Sequence, residues 1–240
     1  TTPPTLSAVL DASSDICYDT TNGATLIVSP VGGTAPFVYS INGNPNQNTS
    51  TFANLLPGSY TITVTDALGC TATVSQTITN QLIANTSIVK GLDCSASPDA
   101  VIETTLVGGL EPYSYQVSFN GGAFGASTAI VGTTLSYQTA ASGTYQFLIT
   151  DAQGCSFTTG TFTIQPLTLP EITSVVQTQN ILCNGNATGA IAITLNNTVG
   201  TPPFVISVVN TTTGVSYGNQ TSGLTAGNYT VTITDSNSCT

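Results

Sequence analysis

Residues 59–65, Ser-Tyr-Thr-Ile-Thr-Val-Thr, alternate without interruption: Tyr60, Ile62 and Val64 share one parity and Thr61, Thr63 and Thr65 the other. Successive side chains of a strand point to opposite faces, so this period predicts a β-strand with one face on a core and one in water. The same alternation, punctuated by Gly, Pro and Asn turns, predicts strands near residues 5–12, 24–30, 36–41, 50–55, 59–65 and 71–78. No segment carries the helical period.

The pattern then returns. GSYTITVTDALGC (58–70) recurs as GTYQFLITDAQGC (143–155) and GNYTVTITDSNSC (227–239). VGGTAPFVY (31–39) recurs as VGGLEPYSY (107–115) and, one residue shorter, as VGTPPFVI (199–206). CYDTTNGATLIV, CSASPDAVIETT and CNGNATGAIAIT form a third series. Three markers in constant order, at a period of about 85 residues, define an internal repeat long enough to bury its own core. The chain therefore divides into copies at 1–80, 81–166 and 167–240. Each is expected to be an immunoglobulin-like antiparallel β-sandwich, since short strands with turn-rich connections and no helix specify that class. Few residues separate the copies, near Asn80/Gln81 and Pro166–Pro170, which predicts a stiff end-to-end string. The first two copies continue past the marker into TATVSQTI and SFTTGTFTI, whereas Thr240 alone follows Cys239, so the third copy is expected to lack its last strand. Residues 1–4 read as the tail of an earlier copy.

The markers suggest structural work. Tyr60, Tyr145 and Tyr229 each follow a Gly turn at the start of a strand, where sandwiches place a corner tyrosine bonded to nearby backbone. Asp66 with Gly69, and Asp151 with Gly154, occupy the first and fourth positions of a type I turn. Asp235 begins the third turn, but Ser238 replaces its glycine, which predicts a looser turn. Leu148 breaks the polar parity of its strand and is expected on the outer face.

Composition narrows the chemistry. One lysine (Lys90), no arginine and no histidine stand against eight Asp and three Glu, for a formal charge of −10. Histidine-dependent nucleophilic catalysis and basic phosphate sites lack their parts, so the expectation is a protein that is not an enzyme. The charge opposes nucleic acid, and no apolar run approaches a membrane span. Calcium is the rival to turn capping for the acids gathered near the turns, with Asp15, Asp19, Asp66, Asp93, Asp99 and Asp151 as candidates. The third copy has Asn184 and Asn186 where the others place acids, and there is no DxDxDG loop. No other cofactor is expected. Asn48, Asn85, Asn186, Asn196, Asn210, Asn219 and Asn228 open N-x-S/T triplets, and Asp19-Thr20-Thr21 suits O-glycosylation.

Six cysteines, Cys17, Cys70, Cys94, Cys155, Cys183 and Cys239, fall two to a copy and predict disulfides in an oxidising compartment. Pairing within copies would give Cys17 with Cys70, Cys94 with Cys155 and Cys183 with Cys239, each bridge at one pole of its domain and contributing about 4 kcal/mol. Pairing across junctions would instead join Cys70 to Cys94 and Cys155 to Cys183, leaving Cys17 and Cys239 for outside neighbours.

Taken together, the GG-x-x-P-[FY]-x-Y centre and the G-x-Y-x-[VI]-x-[VI]-T-D-x-x-G-C end resemble the SprB-type repeat of Bacteroidota surface adhesins. Gly58, Tyr60, Thr65, Asp66, Gly69 and Cys70 match it in the first copy, and the likeness spans all three copies. Asp99 where a turn glycine is expected, the shortened VGTPPF and Ser238 depart from it. The resemblance implies export by the type IX route, display as a cell-surface filament and a part in gliding or in capturing other cells. On that footing the chain is expected to be a stalk segment whose partners are neighbouring repeats. The alternatives are a self-associating subunit of multi-chain fibres, favoured by a weakly charged Thr- and Asn-rich surface, and a glycan-binding module using loop Tyr, Asn and Asp.

Overall fold

In a computed structural model of the chain, residues 5–183 and 185–240 are described. The readings placed on residues 1–4 and on Asn184 lie outside them. Among the described residues the protein is all-β, with 20 strands in small antiparallel sheets and no helix.

The first copy contains β1 (Ser7–Leu10), β2 (Ala24–Val31), β3 (Val38–Ile41), β4 (Thr51–Leu55), β5 (Gly58–Thr65) and β6 (Thr71–Ile78). They form two sheets, ordered β1-β2-β4 and β3-β5-β6. The alternation read from the sequence is the cause: Ile62 and Val64 of β5 are buried, and Leu26 and Val28 of β2 meet them in one core with Ala24, Tyr39, Phe52 and Ile78. Hydroxyls on the wet parity pair across the ladder, Thr61 with Ser75 at 3.0 Å and Ser59 with Thr77 at 3.2 Å.

The second copy contains β7 (Ile83–Lys90), β8 (Ala100–Val107), β9 (Tyr113–Phe119), β10 (Thr128–Ile130), β11 (Thr134–Thr139), β12 (Gly143–Thr150), β13 (Ser156–Thr158) and β14 (Phe162–Ile164). One sheet is β11-β8-β7; the other is β10-β9-β12-β13, with β14 also on β12. Tyr145, Phe147 and Ile149 of β12 are buried. Leu148 is half-buried rather than freely exposed, between Gln116 of β9 and Thr158 of β13 in the ladder. The third copy contains β15 (Ile172–Gln179), β16 (Gly189–Leu195), β17 (Val205–Asn210), β18 (Ser216–Gly218), β19 (Ser222–Leu224) and β20 (Tyr229–Thr234), in sheets β15-β16-β19 and β18-β17-β20. Among the described residues, no strand follows β20 or pairs with the edge that β6 covers in the first copy.

By spatial contact the chain gathers into two compact units. One holds residues up to 87 with Glu103–Leu135 and Tyr145–Thr161; the other holds Ile88–Ile102, Ser136–Thr144 and Phe162–Thr240. The division crosses the second copy, whose strands β7, β8, β11 and β12 each run from one unit into the other.

Strand direction decides where the cysteines lie. Every pairing in the first copy is antiparallel, so β2 and β5 run one way while β1, β3, β4 and β6 run the other. The chain thus enters at the pole where β1 begins and β5 ends, and leaves at the pole where β6 ends. Cys17, between β1 and β2, is at the exit pole; Cys70, after β5, is at the entry pole. The eight residues of β5 separate them by roughly 25 Å.

Candidate functional site at the joined poles

The entry pole is built the same way in all three copies. Asp66, Asp151 and Asp235 are each about 95% buried. One carboxylate oxygen of Asp66 accepts the N–H groups of Leu68 and Cys70, both at 2.9 Å, and the other accepts Thr34 N–H at 3.0 Å. Asp151 takes Gln153 and Cys155 N–H at 2.9 Å and Leu110 N–H at 3.0 Å. Asp235 takes Asn237, Cys239 and Thr201 N–H, all at 2.9 Å. The aspartate therefore fastens the turn it begins to the Gly-rich marker loop more than thirty residues before it. Burial pushes the Asp66 carboxyl up, but the N–H bonds from Cys70, Thr34 and Leu68 outweigh it and hold the group below its ordinary value.

The loop glycines are required by what they touch. A Cβ at Gly109 would stand 3.1 Å from Leu82 Cδ1 and 3.0 Å from the Asp151 carboxylate; one at Gly33 would meet Leu6 at 2.8 Å, and one at Gly200 would meet Pro170 Cα at 2.9 Å. In every copy this glycine lies against the residue that leads into the first strand. Each marker loop also carries a cis X–Pro bond, at Ala35-Pro36, Glu111-Pro112 and Pro202-Pro203. Gly69 and Gly154 take φ of 82° and 85° in the closing turn. The third turn is not looser: Ser238 adopts φ 62° and donates to Asp235 O at 3.1 Å, as Gly154 does to Asp151 O. A residue with a Cβ accepts a left-handed conformation there because the aspartate has already fixed the turn.

The disulfides correct both pairings expected from the sequence. Cys17 bonds Cys155, with Cα atoms 5.3 Å apart, and Cys94 bonds Cys239, with Cα atoms 4.8 Å apart. Cys70 and Cys183 are free and exposed. A bridge within a copy fails because a disulfide needs Cα atoms within about 7 Å and each copy's two cysteines are at opposite poles. Instead, the exit-pole cysteine of one copy bonds the entry-pole cysteine of the next. Each bridge lies wholly inside one of the two compact units.

Polar contacts surround both bridges. At the first, Gln153 donates from Nε2 to Thr77 O at 3.1 Å and its Oε1 accepts from Thr79 Oγ1 at 3.2 Å. Gly109 N–H donates to Asn80 O at 2.9 Å, and Gly108 is pressed on the linker, where a Cβ would fall 2.1 Å from Gln81 O. At the second, Cys94 N–H donates to Asn237 O at 2.8 Å and Gly200 N–H to Thr168 Oγ1 at 3.2 Å.

Corner tyrosines bond nearby backbone as expected: Tyr60 donates to Leu56 O at 2.8 Å and Tyr229 to Thr225 O at 2.6 Å. Tyr145 is buried with its ring 5.0 Å from that of Phe119. The calcium candidates hold local structure. Asp66 and Asp151 already point both carboxylate oxygens at N–H donors, an environment of the wrong sign for a cation. Asp15 accepts Cys17 N–H at 3.1 Å, and Asp19 accepts Thr21 and Asn22 N–H at 2.7 and 2.8 Å. Asp93 pairs with Lys90 Nζ at 2.9 Å, and Asp99 offers its backbone carbonyl to the same Nζ at 3.1 Å. Lys90 also donates to Ser97 O, so the chain's single cation is spent on one loop. Among the described residues, no three Asp, Glu, Cys or His side chains converge as metal ligands would.

Asn210, one of the N-x-S/T asparagines, is fully buried and cannot accept a glycan. Its Oδ1 accepts Thr212 and Thr213 N–H and its Nδ2 donates to Ala226 O. Only the Asn-Thr-Thr turn pattern hinted at this capping role.

In sequence comparisons the chain matches no protein-family model and no curated protein. Two disulfides point to a non-cytoplasmic protein. Among the described residues no helix is long and apolar enough to cross a membrane.

Proposed function

We propose that the chain is a structural repeat segment from the stalk of an extracellular adhesin filament on a cell surface, with neighbouring repeats as its partners and no catalytic role. The observation that carries this reading is the staggered bridging: both disulfides staple one copy to the next, and neither closes a copy on itself. A staple inside one copy would hold only that copy's own fold, whereas a staple from one copy to the next holds a junction, which is what a stalk needs. The resemblance to SprB-type repeats supports the same reading, as do the lack of histidine and arginine and the commitment of the repeated marker residues to turns and junctions. Export by the type IX route and a part in gliding or in capturing other cells follow from that resemblance.

Small-angle scattering tests it. A compact chain of this length has a radius of gyration of about 18 Å. The stalk reading expects a clearly larger value and a rod-like cross-section profile, unchanged by chelator; compact dimensions would overturn it.

A further inference from the structure

The copies differ in one respect at their poles: Cys155 and Cys239 are bonded at entry poles, Cys17 and Cys94 are bonded at exit poles, and Cys70 and Cys183 stand exposed in the corresponding places. We propose that Cys70 and Cys183 are the two halves of a further bridge of the same kind, Cys70 bonding the exit-pole cysteine of another copy of this repeat and Cys183 bonding the entry-pole cysteine of another. In a solution of this chain alone the matching partner is a second molecule, joined head to tail from Cys183 to Cys70.

The surroundings of Cys70 are already those of a bonded cysteine. Its N–H is held by Asp66 at 2.9 Å, the distance at which Asp151 holds Cys155 and Asp235 holds Cys239, and Asp66 N–H donates to Cys70 O at 3.0 Å as the other two aspartates do to their cysteines. Cys155 and Cys239 are buried and each is bonded to the copy that precedes it, whereas Cys70 is exposed and unbonded. The turn position two residues before the cysteine touches the preceding copy at both formed junctions, through the Gln153 side chain and the Asn237 carbonyl. In the first copy this position is Leu68, 61% exposed, and beside Cys183 stands Leu182, 76% exposed. An apolar residue is thus uncovered next to each free thiol, where the formed junctions have contacts.

The bond forms by exchange with a low-molecular-weight disulfide. One thiolate attacks oxidised glutathione and releases one glutathione thiol; the second cysteine's thiolate then attacks the protein sulfur of the mixed disulfide and releases the other. Two S–H bonds are replaced by one S–S bond, and one glutathione disulfide is reduced to two thiols.

The inference rests on the stalk reading only in taking the repeat as a unit that continues, and its test is separate from scattering. Cys70→Ser and Cys183→Ser are purified singly, each checked by non-reducing peptide mapping to retain both existing bridges, and mixed in a glutathione redox buffer. The expected product is the heterodimer bonded from Cys183 of one variant to Cys70 of the other, at least about tenfold over either homodimer, while wild type gives a covalent ladder and the Cys70→Ser/Cys183→Ser double variant stays monomeric. Homodimers in statistical proportion, or thiols that end only as glutathione adducts, would overturn it. Scattering from the monomeric double variant still decides the stalk reading by itself.

Discussion

Removing the Cys17–Cys155 bridge should destabilise the first two copies together, and the size of the effect follows from the chain it closes. The bonded residues are 138 apart in sequence, and in the chain-entropy model a loop of this length removes about 5 kcal/mol from the unfolded state. If the first copy stays folded while the second unfolds, the slack is only the linker and the second copy, roughly 75 residues, and the same relation gives about 4.5 kcal/mol. The dependence is logarithmic, so either route predicts 4–5 kcal/mol, about the whole stability of one small domain. The measurement is a urea titration of Cys17→Ser/Cys155→Ser in a Cys70→Ser/Cys183→Ser background, so that no free thiol can exchange with the remaining bridge. Each kilocalorie corresponds to about 4–8 °C for a domain of this size, so a calorimetric transition should fall by at least about 15 °C. Cys94→Ser/Cys239→Ser, with a separation of 145, should cost nearly the same. A loss under about 1 kcal/mol, or a parent protein in which Cys17 maps to Cys70, would refute the reasoning from strand direction to staggered pairing.

Gly108→Ala should cost more than about 3 kcal/mol, because its φ is +72° and the new Cβ would lie 2.1 Å from Gln81 O, whereas Gly154→Ala, at φ +85° with open space, should cost only about 1–2 kcal/mol; urea midpoints of the two compare them. Tyr60→Phe removes the bond to Leu56 O and should cost about 1 kcal/mol by the same assay, with the ring packing retained. Asp11, Asp19, Asp66 and Asp93 all have folded carboxyls held below the ordinary 3.8, so their stabilisation is complete above the unfolded value and is lost as pH falls through the folded ones. Urea midpoints should therefore be flat from neutrality to about pH 4 and fall below it, and Asp66→Asn should flatten part of that acid limb; a decline that begins near pH 6 would contradict the assignment.

The strands were legible because their cause is local. Alternation at Tyr60, Ile62 and Val64 and turn residues around Gly58 and Asp66 place β5 within a residue of its observed bounds. The disulfides were not legible, and the error has a definite source. If the segments from Cys17 to Cys70 were joined only by hairpins, β2 to β5 would make four crossings and return the chain to its starting pole. Residues 42–50 add a fifth, because the connection from β3 to β4 doubles back beside β3, with Tyr39 bridged to Gln47, before β4 begins in the other sheet. That crossing has no alternating run to announce it. Asp66 was read as a turn former from its own four residues, but its bond to Thr34 N–H spans 32 positions and no spacing rule reveals it. Asn210 shows a related limit: a glycosylation triplet and a buried cap share the same letters, and burial tells them apart.

The two bridges also change how tension would pass along the backbone. Cys94 lies inside the loop closed by Cys17 and Cys155, and Cys155 lies inside the loop closed by Cys94 and Cys239, so the loops interlock in sequence. The shortest covalent route from Cys17 to Cys239 crosses the first bridge, runs back from Cys155 to Cys94 and crosses the second. That route holds about 60 residues and can be drawn out to about 200 Å at most, near a quarter of the contour between those cysteines. The bridges make two covalent nodes, Cys17 with Cys155 and Cys94 with Cys239, and residues 17–94, 94–155 and 155–239 all connect one node to the other. A pull applied outside the bridges is therefore shared by three stretches in parallel, none of which can be drawn out beyond the reach of the shortest until a sulfur–sulfur bond is exchanged.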